Sequence, residues 1–169
     1  MFQIRSVIGG LVAGLCIVQA AIADDPPEKG KIKLELRWAE FRPIPGVTEE
    51  KGEPFGEGNG PLYYLHKKPA LTIKAVAEAY RGGTLEVANG IKVHEAVLRM
   101  TDEAKMDLTL MPEVKAKKPL MIVINGKGGS GYFVESLLAE KELLLGIGYY
   151  DQAFTDKLVK DINEAIQGD

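Results

Sequence analysis

Cysteine is almost missing from this chain. Its 169 residues hold one, Cys16, inside the apolar segment at the N-terminus, so no intramolecular disulfide can form. Histidine is nearly as scarce, with His66 and His94 alone and far apart. They lack the i, i+4 or carboxylate-flanked spacing that a metal site needs, and no metal is expected. No sign of charge dominates: 21 basic residues stand against 24 acidic ones, mixed along the chain. That balance argues against nucleic acid or an anionic membrane surface as the main partner. Beyond residue 23 no apolar run approaches the roughly 20 residues of a spanning helix, so a soluble mature chain with no membrane span is expected.

The one long apolar run lies at the start. Arg5 supplies a positive n-region, Val7–Ala20 carries no charge, and Ala21-Ile22-Ala23 is a small-x-small cleavage pattern followed by Asp24-Asp25. Residues 1–23 therefore read as a cleavable signal peptide rather than an anchor helix. A lipoprotein site is disfavoured because Leu15 precedes Cys16 where a small residue is expected, which leaves Cys16 as filler. An exported protein of the periplasm or cell envelope, or an extracellular one, is expected. Removal of 1–23 leaves 146 residues with 20 basic and 24 acidic side chains, a net charge of −4 and a length of about one domain. That length can bury a core without staples.

Residues 24–30 (DDPPEKG) are a polar flexible linker, and 31–169 form the domain. Ile32, Leu34, Leu36 and Trp38 alternate with Lys33, Glu35, Arg37 and Ala39, which predicts a strand with one buried face. The stretch 42–61 has four prolines, five glycines and no period, and reads as a long surface loop. Leu62–His66 reads as a short strand. Thr72 is placed to cap a helix with Ile73, Val76, Ala77 and Tyr80 on one face, ended by Gly82-Gly83. Asn89-Gly90 between Thr84–Val87 and Lys92–Met100 is a hairpin signal, because a type I′ turn needs positive φ at both central residues. Thr101 caps a second helix, with Asp102 and Glu103 favourable to its dipole. Ala104, Leu108 and Met111 line its apolar side, and Pro112 limits it.

Leu120–Ile124 is apolar throughout, as a central strand covered on both faces would be, and turns at Asn125-Gly126. Residues 128–149 fit either two strands, Tyr132–Leu138 and Leu143–Tyr149, or a helix over 132–145. Asp151 or Thr155 caps a last helix with Phe154, Leu158, Ile162 and Ile166 in one stripe. The expected fold class is α+β: a mostly antiparallel sheet with three helices packed on one face.

Several segments in this order resemble a known family. LELRWAEFRPIPG, a loop and GPLYYLHKKPALT, then EAVLRMTDEAK (95–105), KPLMIVINGKGGSG (118–131) and GIGYYDQAFTDKLVKDI (146–162) resemble the periplasmic head subdomain of SecD/SecDF, the accessory subunit of the bacterial Sec translocase. The resemblance covers nearly the whole mature chain and implies a ferredoxin-like, SecDF-head-like sandwich able to touch extended polypeptide or an envelope protein. It does not imply translocation, because the family's proton-harvesting membrane helices have no counterpart here. Gly128-Gly129 replace the family's β-branched residues, so that strand is expected to be weak or bulged; Leu158 stands where the family often has alanine.

No catalytic, cofactor-binding or metal-binding residues are assigned. Gly126–Gly131 matches G-x-G-x-x-G, but Tyr132-Phe133 exclude a Walker A loop, and a lone match reads as a glycine-rich turn. His94-Glu95 could assist a base, yet Ser130 lacks a G-x-S-x-G setting. Glu49, Glu50, Glu53 and Glu57 sit on the proline-glycine loop. That loop holds carboxylates too loosely for glycosidase chemistry, and weak calcium binding is the other reading of the cluster. Two doublets, Tyr63-Tyr64 and Tyr149-Tyr150, must each turn one ring outward in a regular strand. Beside an open sheet edge, these four are the candidate partner-binding residues. The sequence thus points to an exported, non-catalytic binding domain; its rivals are a small secreted hydrolase and an oligomerising structural protein of the envelope.

Overall fold

A computed structural model describes residues 32–54, 62–87 and 90–168. The expected signal peptide with Ala21 and Ala23, the expected linker, Glu57 and Asn89 lie outside the described residues. Among the described residues nine strands and three α-helices follow in the order β1 (Leu34–Glu40), β2 (Glu53–Pro54), β3 (Leu62–Leu65), β4 (Leu71–Thr72), β5 (Val76–Glu86), β6 (Lys92–Met100), α1 (Asp102–Leu110), α2 (Pro112–Lys115), β7 (Leu120–Ile124), β8 (Lys127–Tyr132), β9 (Leu144–Tyr149) and α3 (Gln152–Gln167). The class is α+β with antiparallel pairing throughout, as expected. The strands divide into two sheets: a larger one ordered β2-β3-β1-β7-β8, with β4 also on β1, and a smaller one ordered β5-β6-β9.

One core joins both sheets to the helices. Leu34, Leu36 and Trp38 of β1, Leu120 and Ile122 of β7, Leu98 of β6, Leu145 and Ile147 of β9, Leu108 of α1 and Leu158 and Ile162 of α3 all bury there. At roughly 1.5–3 kcal/mol per fully buried aliphatic side chain, this cluster is the main stabilising term. The other face of β7 is covered by a second cluster of Met121, Val123, Ala39, Tyr63 and Leu65, so the all-apolar run is a central strand sealed on both sides.

β1 differs from the single buried face that its alternation predicts. Its polar side is covered as well, with Glu35 only 7 % exposed. Arg37 donates from Nε (2.9 Å) and Nη2 (2.6 Å) to Glu35 Oε2 and from Nη1 to Glu49 Oε1 (2.5 Å), and Lys33 pairs with Glu35 at 3.0 Å. Glu49 reaches Arg37 because the first part of the expected surface loop folds back. Thr48 is 4 % exposed, bridges to His66, and exchanges hydrogen bonds with the Ile44 backbone. Glu49 is therefore a counter-ion to a half-buried arginine rather than a solvated carboxylate.

The helix expected from Thr72 is not formed. Thr72 is extended and pairs with β1, a single 3-10 turn covers Ile73–Ala75, and the chain continues as β5. Of the expected helical face, Ala77 is exposed and Tyr80 lies on the opposite side of the strand from buried Ala79; a bulge between Val76 and Glu78 sets the two inward residues, Val76 and Ala79, three apart. Gly82-Gly83 mark a second bulge, between Arg81 and Thr84, rather than a helix end. The helices expected at Thr101 and Asp151 do form: Thr101 accepts from Ala104 N (3.1 Å), and Asp151 accepts from Phe154 N (3.1 Å). The short α2 after Pro112 completes the three.

Within 128–149 the helix over 132–145 does not form and only the second expected strand does, as β9; the first, Tyr132–Leu138, is absent, because β8 ends at Tyr132 and the chain turns into a 3-10 turn over Leu137–Ala139. Asn125 (φ 51°) and Gly126 (φ 79°) both occupy the left-handed region at the β7–β8 turn, as the Asn-Gly signal requires. The β7–β8 register slips between Met121 and Val123, the bulge expected of the glycine run. A Cβ on Gly128 would collide with the Tyr63 hydroxyl, so the second core cluster needs glycine there.

Candidate partner-binding surface

The two histidines are set apart by the sheets. His66 Nε2 meets Glu40 Oε1 at 3.0 Å, and Lys118 meets the same oxygen at 2.5 Å. Burial alone would raise the Glu40 pKa, but hydrogen bonds and charge from Lys118 and His66 override it and hold the carboxyl below its usual range. Glu35 shows the same contest, settled downward by Lys33 and Arg37. His94 turns toward the core, 9 % exposed, with Nδ1 3.1 Å from Thr84 Oγ1. Glu95, next to it on β6, projects to the opposite face, since successive strand side chains alternate. The two cannot act on one substrate together. Among the described residues no three His, Cys, Asp or Glu side chains group as metal ligands. Gly126–Gly131 forms the β7–β8 turn and strand β8, not a loop opening a helix.

Of the four tyrosines, Tyr63 is 3 % exposed, and burial, reinforced by Glu53 and Glu49, pushes its pKa up to about 12. Tyr149 stacks edge-on against Phe154, ring centroids 4.8 Å apart, and burial raises its pKa to about 12 as well. Both rings belong to core margins and offer a partner little surface. Their neighbours turn outward: Tyr64 is half-buried against Gly52, and Tyr150 is 39 % exposed. The doublets lie in different sheets, on β3 and at the end of β9.

The outer edges of the small sheet carry side-chain caps. Asn163 of α3 accepts from Ala79 N (2.9 Å) and donates to Ala79 O (2.7 Å), occupying the β5 edge as a neighbouring strand would. On β9 the Tyr132 hydroxyl donates to Gly146 O. Such caps blunt an edge against added strands. Asn163 lies outside the apolar stripe that marks α3 in the sequence, and nothing in that pattern signals its partner.

The face of the small sheet turned away from α3 is organised differently. Val93, Glu95, Val97 and Arg99 of β6 lie between Glu78, Tyr80, Gly82 and Leu85 of β5 and Leu144, Gly146 and Gly148 of β9, as the register requires. Arg99 pairs with Glu78 (2.9 Å) and Glu142 (3.8 Å). Leu85 is 41 % exposed and Leu144 37 %. Glu95 lies across the sheet, because Cβ atoms on Gly82 or Gly146 would overlap its two carboxyl oxygens. Burial raises its pKa, with no compensating hydrogen bond or charge. The Tyr80 hydroxyl is also raised, first by burial and then by Glu142, Glu78 and Glu95.

No family profile and no curated protein matches the chain. Among solved structures it is similar to a crystal structure of SecDF in a super-membrane-facing form, at 15% identity and TM-score 0.43, over 81% of this chain and 19% of that one. It is also similar to a structure of SecDF described as a membrane component that enhances protein export, at 14% identity and TM-score 0.44, over 81% of this chain and 62% of that one. The chain spans less than two thirds of either protein's length. No helix among the described residues is long and apolar enough to cross a membrane.

Proposed function

We propose that this chain is an exported, non-catalytic domain that binds extended polypeptide or an envelope protein, in a role linked to protein export or envelope maintenance. The observation that carries the reading is the outward face of the small sheet. It combines exposed Leu85 and Leu144, a half-buried Tyr80 and the carboxylate of Glu95, a mixture of apolar area and polar anchoring suited to protein contact. The blunted edges of β5 and β9 favour contact through this face over strand addition at those edges. Tyr64 and Tyr150 remain accessory contact residues, whereas Tyr63 and Tyr149 serve the core. The ordered sequence segments similar to the SecD/SecDF head support the link to export. The separation of His94 from Glu95 speaks against the hydrolase alternative.

A photo-crosslinking amino acid placed at Leu144 tests the reading. Incubated with a reduced, unfolded secretory protein, the mature chain should cross-link to it, and a probe at exposed Leu110 of α1 should not. Equal labelling from both positions, or none from Leu144, would overturn it.

A further inference from the structure

Residues 41–53 form a strap that folds back on the larger sheet. Its second half lies along the outer edge of β3. Glu49 N donates to Leu65 O (2.8 Å), Lys67 N donates to Val47 O (2.9 Å), Thr48 bridges to His66, and Glu53 pairs with Tyr63. Gly52 rests against the Tyr64 ring, where a Cβ would come within 3.0 Å. Glu49 reaches across to Arg37. The strap thus takes the edge as an added strand would, main chain on main chain, with one carboxylate on a neighbouring cation.

What holds it there is slight. None of the described residues 41–53 belongs to either hydrophobic cluster, and Val47 is 42 % exposed. Thr48 is buried, but its hydroxyl bonds Ile44, inside the strap itself. The Glu49 side chain is 43 % exposed, and an ion pair so open to water contributes little. Segments that bury no apolar surface open at low free energy. β3 does not depend on the strap, since Tyr63 and Leu65 belong to the second core cluster and β3 pairs with β1 on its other side. Lifting the strap leaves a formed strand edge, an uncovered Tyr64, and Arg37 short of one counter-ion.

We propose that the strap is a built-in occupant of a strand-addition site, displaced by an extended polypeptide that pairs with β3 over 62–67 and sets a carboxylate side chain on Arg37. The inference rests on the polypeptide-binding reading above and adds a second contact to the outer face of the small sheet. The chemistry of the occupant is read from the strap: an extended run, Val47–Glu49, whose acidic residue meets the guanidinium. Arg37 is 13 % exposed at its side chain and keeps Glu35 when the strap leaves, so the vacated position favours a carboxylate, which a planar guanidinium binds by charge-assisted hydrogen bonds. The β5 and β9 edges are capped by side chains of α3 and β8, whereas the β3 edge is covered by a segment outside the core.

Residues 24–169 contain no cysteine, so Thr48→Cys with His66→Cys gives a single lock. The two positions form a bridge pair, close enough for a disulfide. The probe is a fluorescent peptide copying residues 45–54, followed by anisotropy. The reduced double variant should bind it, and the oxidised form about tenfold more weakly. The same peptide carrying Glu49→Lys should bind the reduced form about tenfold more weakly than the native peptide does. In a protein with Glu49→Gln alone, affinity for the native peptide should rise, because apparent affinity scales with the open fraction. Equal affinity of the reduced and oxidised forms, no gain in Glu49→Gln, or no binding of the peptide to any form would overturn the strap proposal. If an unfolded secretory protein still cross-links from Leu144, the polypeptide-binding reading stands; if it does not, both fall. Self-association of the reduced protein at rising concentration, lost on oxidation, would give the edge to a second copy and sink the proposal.

Discussion

Glu95 and the pair Glu35 and Glu40 show how one residue type takes opposite roles in neighbouring sheets. Glu35 and Glu40 are held below the usual carboxylate range by adjacent cations. Their stabilisation is present above the unfolded-state pKa and is lost as pH falls through the lower folded values. Glu95 is raised by burial, so its ionised form disfavours the folded state; that cost is full above its folded pKa and disappears as pH falls through that value to the unfolded one. Glu95→Gln should therefore melt at a higher temperature than the wild type near pH 7, with the difference closing on acidification below the ordinary carboxyl range. Thermal melts of both proteins across that range check it. A variant less stable at pH 7 would mean that Glu95 has a stabilising partner. This residue was visible in the sequence only beside His94, and strand alternation parts those two. What makes Glu95 distinctive, its approach to Gly82 and Gly146, spans β5, β6 and β9, and no local pattern carries it.

At the scale of elements, caps and turns were legible because their signals are local. Thr101, Asp151 and Asn125-Gly126 each act within a few residues, and each does what its type dictates. β5 reads as a helix because Ile73, Val76, Ala77 and Tyr80 fall at helical spacing, whereas in the strand Ala77 is exposed and Tyr80 turns away from the side that Ala79 buries. The charged side of β1 reads as solvent-facing until Glu49 and Thr48 fold over it, a contact without a local signal. The β5 edge depends on Asn163 in the same non-local way. Asn163→Ala would leave the Ala79 N–H and C=O without partners, an expected loss of about 1–3 kcal/mol, and would open the edge to pairing. Chemical denaturation and light scattering should show both lower stability and concentration-dependent association. A variant that unfolds like the wild type and stays monodisperse would show that water satisfies the edge equally well.

For the molecule as a whole, the hydrophobic pattern announced α+β, and the two sheets share one core, as a chain of this length can achieve without disulfides. That core takes the inner face of the small sheet; on the outer face Val93 and Val97 are buried, while Leu85, Leu144 and the partly exposed Tyr80 and Glu95 are left at the surface. The central claim is that this outer face meets polypeptide. Hydrogen exchange of residues 24–169 with and without an unfolded secretory protein tests it most directly. The account predicts slowed exchange in β6 and β9, at residues 93–99 and 144–148, with α1 and α2 unchanged. Slowing confined to α1 and α2, or none anywhere at saturating polypeptide, would contradict it.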